Sequence, residues 1–97
     1  MRISVDQKKI AAFCRKHHIR RLALFGSVLR DDFRPDSDVD VLVEFEPRHT
    51  PGLEFFAMES ELSEILGRQV DLNTPAFLNP RFRSQAQAES ETQYEQA

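Results

Sequence analysis

Asp38-Val-Asp-Val-Leu-Val-Glu-Phe45 is the stretch from which the fold is read. Side chains in extended backbone leave alternate faces. Val39, Val41, Val43 and Phe45 therefore share one face of a strand, and Asp38, Asp40, Leu42 and Glu44 share the other. One face belongs to a core, and the other offers carboxylates.

Upstream, Ile19-Arg-Arg-Leu-Ala-Leu-Phe25 reads in its later residues as a short buried strand that stops at Gly26-Ser27, where the backbone is free to turn sharply. Residues 27–31 read as a short helical turn, and residues 31–37, with Pro35, as a polar loop. Further back, Ser4-Val-Asp-Gln7 reads as a capping box. It opens a helix whose inward stripe is Ile10, Ala11, Phe13, Cys14 and His17. Downstream, residues 47–52 form a loop, and residues 53–66 form a second amphipathic helix with Leu53, Phe56, Leu62, Ile65 and Leu66 as expected core positions. Gly67 stands where a left-handed residue would close that helix. Gln69-Val-Asp-Leu-Asn73 alternates again, with Val70 and Leu72 inward and Asp71 outward. Residues 79–97 read as a polar C-terminal helix or tail, poor in apolar side chains. The expected architecture is α/β (α+β): one domain over residues 1–97, with a short mixed sheet of about three strands packed against helices mainly on one face.

Of the 97 residues, 40% are hydrophobic and 30% charged, a globular rather than a disordered mixture. The net charge of −3 argues against direct nucleic-acid binding, which favours a basic excess. The one basic run, Arg15, Lys16, His17, His18, Arg20 and Arg21, reads as a solvated helix end. Cys14 is the single cysteine, which excludes an internal disulfide, and it reads as a small buried hydrophobe. No stretch has the length and apolarity of a signal peptide or membrane span, so a cytoplasmic protein with no membrane partner is expected. His17, His18 and His49 show no metal-ligand spacing and read as surface or helix-end residues, and Tyr94 falls in the polar tail.

Asp38 and Asp40 leave the same strand face with Cα atoms roughly 6–7 Å apart. Asp71 can join them if its strand is a neighbour. Converging carboxylates repel one another, and a divalent cation relieves the conflict. Hard oxygen donors in small number suit Mg²⁺, which fills its remaining positions with water and substrate phosphates. Gly26-Ser27 supplies backbone N–H groups and a hydroxyl for phosphate oxygens. Phosphate cradle and metal ligands are the two halves of nucleotidyl transfer, with two ions at the attacking and leaving oxygens.

Gly26-Ser27, ten residues and then Asp38-Val39-Asp40 resembles the Gly-Ser-x10-Asp-x-Asp signature of the DNA polymerase β-like nucleotidyltransferases. Leu24-Phe-Gly-Ser-Val-Leu-Arg30, Arg34-Pro-Asp-Ser-Asp-Val-Asp-Val-Leu-Val-Glu-Phe45 and Gln69-Val-Asp-Leu72 together resemble the minimal nucleotidyltransferase (MNT) family, from about residue 5 to residue 83. The resemblance implies that Asp38 and Asp40 are paired metal ligands. It implies that Asp71 is a third carboxylate that helps hold the catalytic metal and activates the acceptor hydroxyl. Gly26 and Ser27 match the triphosphate-binding pair. Arg30 matches a frequent arginine placed near phosphate, or else it is a surface residue paired with Asp31 or Asp32. Asp31-Asp32 departs from the glycine common in relatives after that arginine.

Larger members of the superfamily carry added domains for their acceptors, so the acceptor site here is expected to come from a partner. The resemblance implies an antitoxin that transfers AMP from Mg²⁺-ATP to a tyrosine of a HEPN ribonuclease toxin. Two alternatives stand beside it: an antitoxin that acts by binding alone, and a small-molecule (antibiotic-type) nucleotidyltransferase.

Overall fold

A computed structural model describes residues 5–29, 38–75, 84 and 88–96, and the elements that build its sheet and cover it lie among these residues. They run α1 (Gln7–Lys16), β1 (Ile19–Phe25), the turn (Gly26–Leu29), β2 (Val39–Phe45), α2 (Glu54–Leu66), β3 (Val70–Asn73) and β4 (Glu91–Glu95). The sheet order is β3-β2-β1-β4. β2 is parallel to β3 and antiparallel to β1, and β1 is antiparallel to β4, so the sheet is mixed as expected.

Both helices cover one face. Ile10, Phe13 and Cys14 from α1 and Phe55, Met58 and Leu62 from α2 close over Leu22, Leu24, Val39, Val41, Val43, Val70 and Leu72. On the opposite face, Phe25 and Leu42 make a second small cluster. Val39, Val41 and Val43 have no exposed surface, whereas Asp38 is exposed and Asp40 half-buried, so the alternation is realised.

Three expectations are corrected. First, α1 is capped by Asp6, whose carboxylate accepts the Lys8 and Lys9 N–H groups at 3.1 and 3.2 Å. A charged acceptor at the positive end of a helix does the work expected of the Ser4–Gln7 box. The Gln7 side chain instead donates to Gln93 Oε1 on β4 at 3.0 Å, and Ser4 lies outside the described residues.

Second, α2 is turned relative to the expected stripe. Leu53 is 87% and Phe56 69% exposed, while Phe55, Met58 and Leu62 are buried. Two apolar phases overlap in this segment. The helix begins at Glu54, after Leu53, and the 55-58-62 line is the one that meets the sheet, with Ile65 and Leu66 partly buried beside it. Gly67 closes α2 in the left-handed conformation, at φ 68°.

Third, the span read as a C-terminal helix or tail is helical at the described residues 84, 88 and 89 but also contains a strand, β4. With few apolar residues, this strand is held mainly by polar groups. Arg21 on β1 donates to Thr92 Oγ1 at 2.8 Å and to Ser90 Oγ at 3.2 Å, and pairs with Glu44 on β2 at 3.1 Å. Tyr94, opposite Leu22, packs half-buried against the main core rather than standing in a solvated tail.

The basic run is likewise engaged. Lys16 and His17 meet Glu61 on α2 at 2.6 and 3.0 Å, and Arg20 meets Glu44 at 3.0 Å. Burial raises the Glu61 carboxyl, but the hydrogen bonds and charges of Lys16 and His17 outweigh it and hold the group below its ordinary range. Among the described residues, no helix is long and apolar enough to cross a membrane.

Leu62→Ala should cost about 2–5 kcal/mol of unfolding free energy, whereas Leu53→Ala should stay within about 0.5 kcal/mol; urea titration of both variants checks the turn of α2. Cys14 gives a second test. Burial pushes its thiol from 9.0 up to about 12, against the opposing charge of Arg15. The unfolded thiol therefore ionises first as pH rises. Its contribution to stability is complete below about pH 9 and is lost as the pH climbs toward 12, a loss that unfolding curves of Cys14→Ala should lack.

Candidate active site

β1 ends where β2 begins, because the two strands are antiparallel, and Phe25 lies opposite Asp40. Gly26 follows immediately and turns the chain at φ 76°, into the 3₁₀ turn that also carries Ser27. This glycine is required twice over. Its φ is one that L side chains rarely adopt, and a Cβ there would run into Asp40 Oδ2, with Asp40 Cγ 3.1 Å away. The backbone of the Gly-Ser turn thus sits directly against the Asp40 carboxylate.

The parallel ladder of β2 and β3 places Asp71 opposite Asp40, so the two leave the same face of neighbouring strands. Asp38 stands just ahead of β2, tied down by the Val39 N–H to Gln69 carbonyl bond of 2.9 Å. All four positions therefore gather at one end of the sheet. Asp38 and Asp71 are exposed and Asp40 is half-buried, as suits groups that must meet a solvated substrate.

β3 is an edge strand, and α2 satisfies its outward backbone. The Val70 N–H donates to Ser63 Oγ at 3.0 Å, and the Leu72 N–H donates to Glu59 Oε2 at 2.9 Å. These bonds grip the residues on either side of Asp71 and hold its carboxylate in register with Asp40. Neither α2 residue stands out in the sequence. The signal that finds them is their position on the helix face that crosses the edge of β3.

Oxygen donors alone, gathered at one edge beside Gly26, fit a hard cation such as Mg²⁺ better than a softer metal. The three carboxylates share this edge without closing to full ligand spacing. Among the described residues, the His, Cys, Asp and Glu group whose ligand atoms all lie within 4.8 Å of one another is His18, Glu46 and His49. That group lies at the opposite end of the β1–β2 ladder, since Ile19 pairs with Phe45; His18 and His49 are exposed, as the sequence reading has them, but they come together with Glu46. It escapes the sequence because strand pairing, not spacing, brings it together. Arg30 falls outside the described residues, and for Ser27 only the backbone turn is described.

Comparison with known proteins places the chain in a family. The profile of the nucleotidyltransferase domain family matches residues 7–94. A Methanocaldococcus jannaschii protein provisionally named a protein adenylyltransferase is 34% identical over 83 residues, which are 86% of this chain and 88% of that protein. The protein adenylyltransferase MntA of Thermococcus cleftensis is 44% identical over 55 residues, 56% of this chain and 54% of that protein. A solved structure provisionally assigned as a minimal nucleotidyltransferase superposes with a TM-score of 0.73 at 35% identity, covering 88% of this chain and 86% of the other. A toxin-antitoxin crystal structure with AMP-PNP superposes with a TM-score of 0.76 over 95% of this chain and 75% of that one; at 18% identity it shows a shared fold. The chain belongs to the nucleotidyltransferase domain family of enzymes, in its minimal nucleotidyltransferase branch.

Proposed function

We propose that this protein is an adenylyltransferase antitoxin that moves AMP from Mg²⁺-ATP to a tyrosine hydroxyl of a HEPN-class toxin. The observation that carries the reading is the register of Asp40 against Asp71 beside Gly26, where the backbone turn meets the Asp40 carboxylate without a side chain between them. The protein adenylyltransferase names of its relatives, and the toxin-antitoxin complexes that share its fold, support the choice of donor and partner.

In this reading the 26–27 turn presents backbone N–H groups to the triphosphate, and Gly26 lets the phosphates approach Asp40 closely. Arg30 adds positive charge near the phosphates. Asp38, Asp40 and Asp71 would hold Mg²⁺, which supplies charge neutralisation for the phosphates and for the departing pyrophosphate. Asp71 faces the acceptor side and takes the hydroxyl proton as the tyrosine oxygen bonds to the α-phosphorus. The bond from the α-phosphorus to the bridging oxygen breaks, pyrophosphate leaves, and the proton passes to water. The chain is one domain acting in the cytoplasm, and the toxin completes the acceptor site.

With purified protein, α-labelled ATP, Mg²⁺ and a cognate HEPN-class protein, label should enter the partner. Asp38→Asn and Asp40→Asn should each reduce incorporation by roughly 10²-fold or more while the complex still forms on a sizing column. Label-free silencing that survives in both variants would leave an antitoxin that acts by binding alone. Turnover of a small acceptor without the partner would point to the antibiotic-type alternative. Gly26→Ala should lower incorporation by at least about tenfold, because it displaces Asp40. It should also destabilise the fold by about 1–2 kcal/mol, because alanine is strained at positive φ; thermal melts run beside the label assay separate the two effects.

A further inference from the structure

His18 ends the α1–β1 connection in the left-handed region, at φ 57°, and Arg48, just before His49, is also left-handed at φ 69°. Residues other than glycine rarely hold this conformation without surrounding structure to impose it. Two backbone bonds do so here: the Glu46 N–H donates to the His18 carbonyl at 2.8 Å, and the His49 N–H donates to the Glu46 carbonyl at 3.1 Å. The outcome is a compact group. The His18 and His49 rings stack at 3.9 Å with an interplanar angle of 18°, and His18 Nδ1 lies 3.7 Å from Glu46 Oε2.

We propose that His18, Glu46 and His49 form a site for a borderline-soft divalent cation such as Zn²⁺, separate from the aspartate edge. Two imidazoles and a carboxylate are a donor set that zinc accepts, with water as a fourth ligand. Imidazole nitrogen favours Zn²⁺, Co²⁺ or Ni²⁺ over Mg²⁺, which prefers oxygen. The ligand atoms lie within 4.8 Å of one another, and a tetrahedral zinc site brings them to roughly 3.3 Å. Rotation of the two exposed rings about their side-chain torsions, opening the stack, supplies that change. Glu61 on α2 engages Lys16 Nζ at 2.6 Å and His17 Nε2 at 3.0 Å, so the His17 ring nitrogen already has a carboxylate partner outside the group. The site faces a cleft of about 340 Å³ lined by Lys16, Arg48, Thr50 and Glu54 among others, with room for the water ligand. A metal here would bind the start of β1 to the β2–α2 loop.

Titrating the full-length chain with Zn²⁺, while following the histidine ring signals by NMR, tests the site. The His18 and His49 signals should move together and saturate at one equivalent, with His17 unmoved and excess Mg²⁺ unable to reverse the change. His18→Ala and His49→Ala should each weaken Zn²⁺ affinity roughly tenfold or more, whereas Asp40→Asn should leave it unchanged. A Co²⁺ titration read by visible absorption repeats the comparison without relying on ring assignments. Static His18 and His49 signals would overturn the proposal. So would Zn²⁺ binding that survives both histidine variants and vanishes in Asp40→Asn.

Discussion

The parallel ladder between β2 and β3 is the contact on which the candidate active site depends. β2 carries Asp40 at its start with Asp38 just ahead of it, and β3 brings Asp71 opposite Asp40 only because the two strands run the same way in one register. A slip of one residue would turn Asp71 to the helix-covered face and expose Val70 and Leu72, a change the core strongly opposes. The same valines and leucines that bury the sheet thus fix the geometry of the carboxylates. Stability and chemistry share one constraint.

Short parallel pairs need a crossover, and α2 provides it between β2 and β3. The helix does more than cover the core. Its Ser63 and Glu59 side chains occupy the outward N–H groups of β3, so the edge is closed where an open strand would invite another chain. On the far edge, β4 offers only Tyr94 to the core and relies otherwise on the backbone ladder and the Arg21 network. The two edges are thus held by different means, side-chain capping at one and a polar hub at the other.

The sheet also separates two chemistries. One end gathers aspartates beside Gly26, and the other gathers two imidazoles beside Glu46. The seven-residue strands between them keep the ends apart, so a hard cation and a softer one need not compete for one place.

Much of this was legible in the chain. The alternation over residues 38–45 specifies a half-buried strand, and the Gly-Ser turn followed by Asp-x-Asp names the family edge, because both are local patterns that backbone geometry reads directly. The phase of α2 was not, since Leu53 and Phe56 are as apolar as Phe55 and Met58, and only packing against the sheet chooses between them. β4 was hidden for a related reason: a polar segment becomes a strand when a partner strand offers it a ladder, which no local signal announces. The sequence by itself determined which residues carry the oxygen donors and which faces are apolar. Tertiary structure decided which strands are neighbours, and with that the pairing of Asp40 with Asp71 and of His18 with His49, because strand register joins residues far apart in the chain through contacts that local preference does not encode.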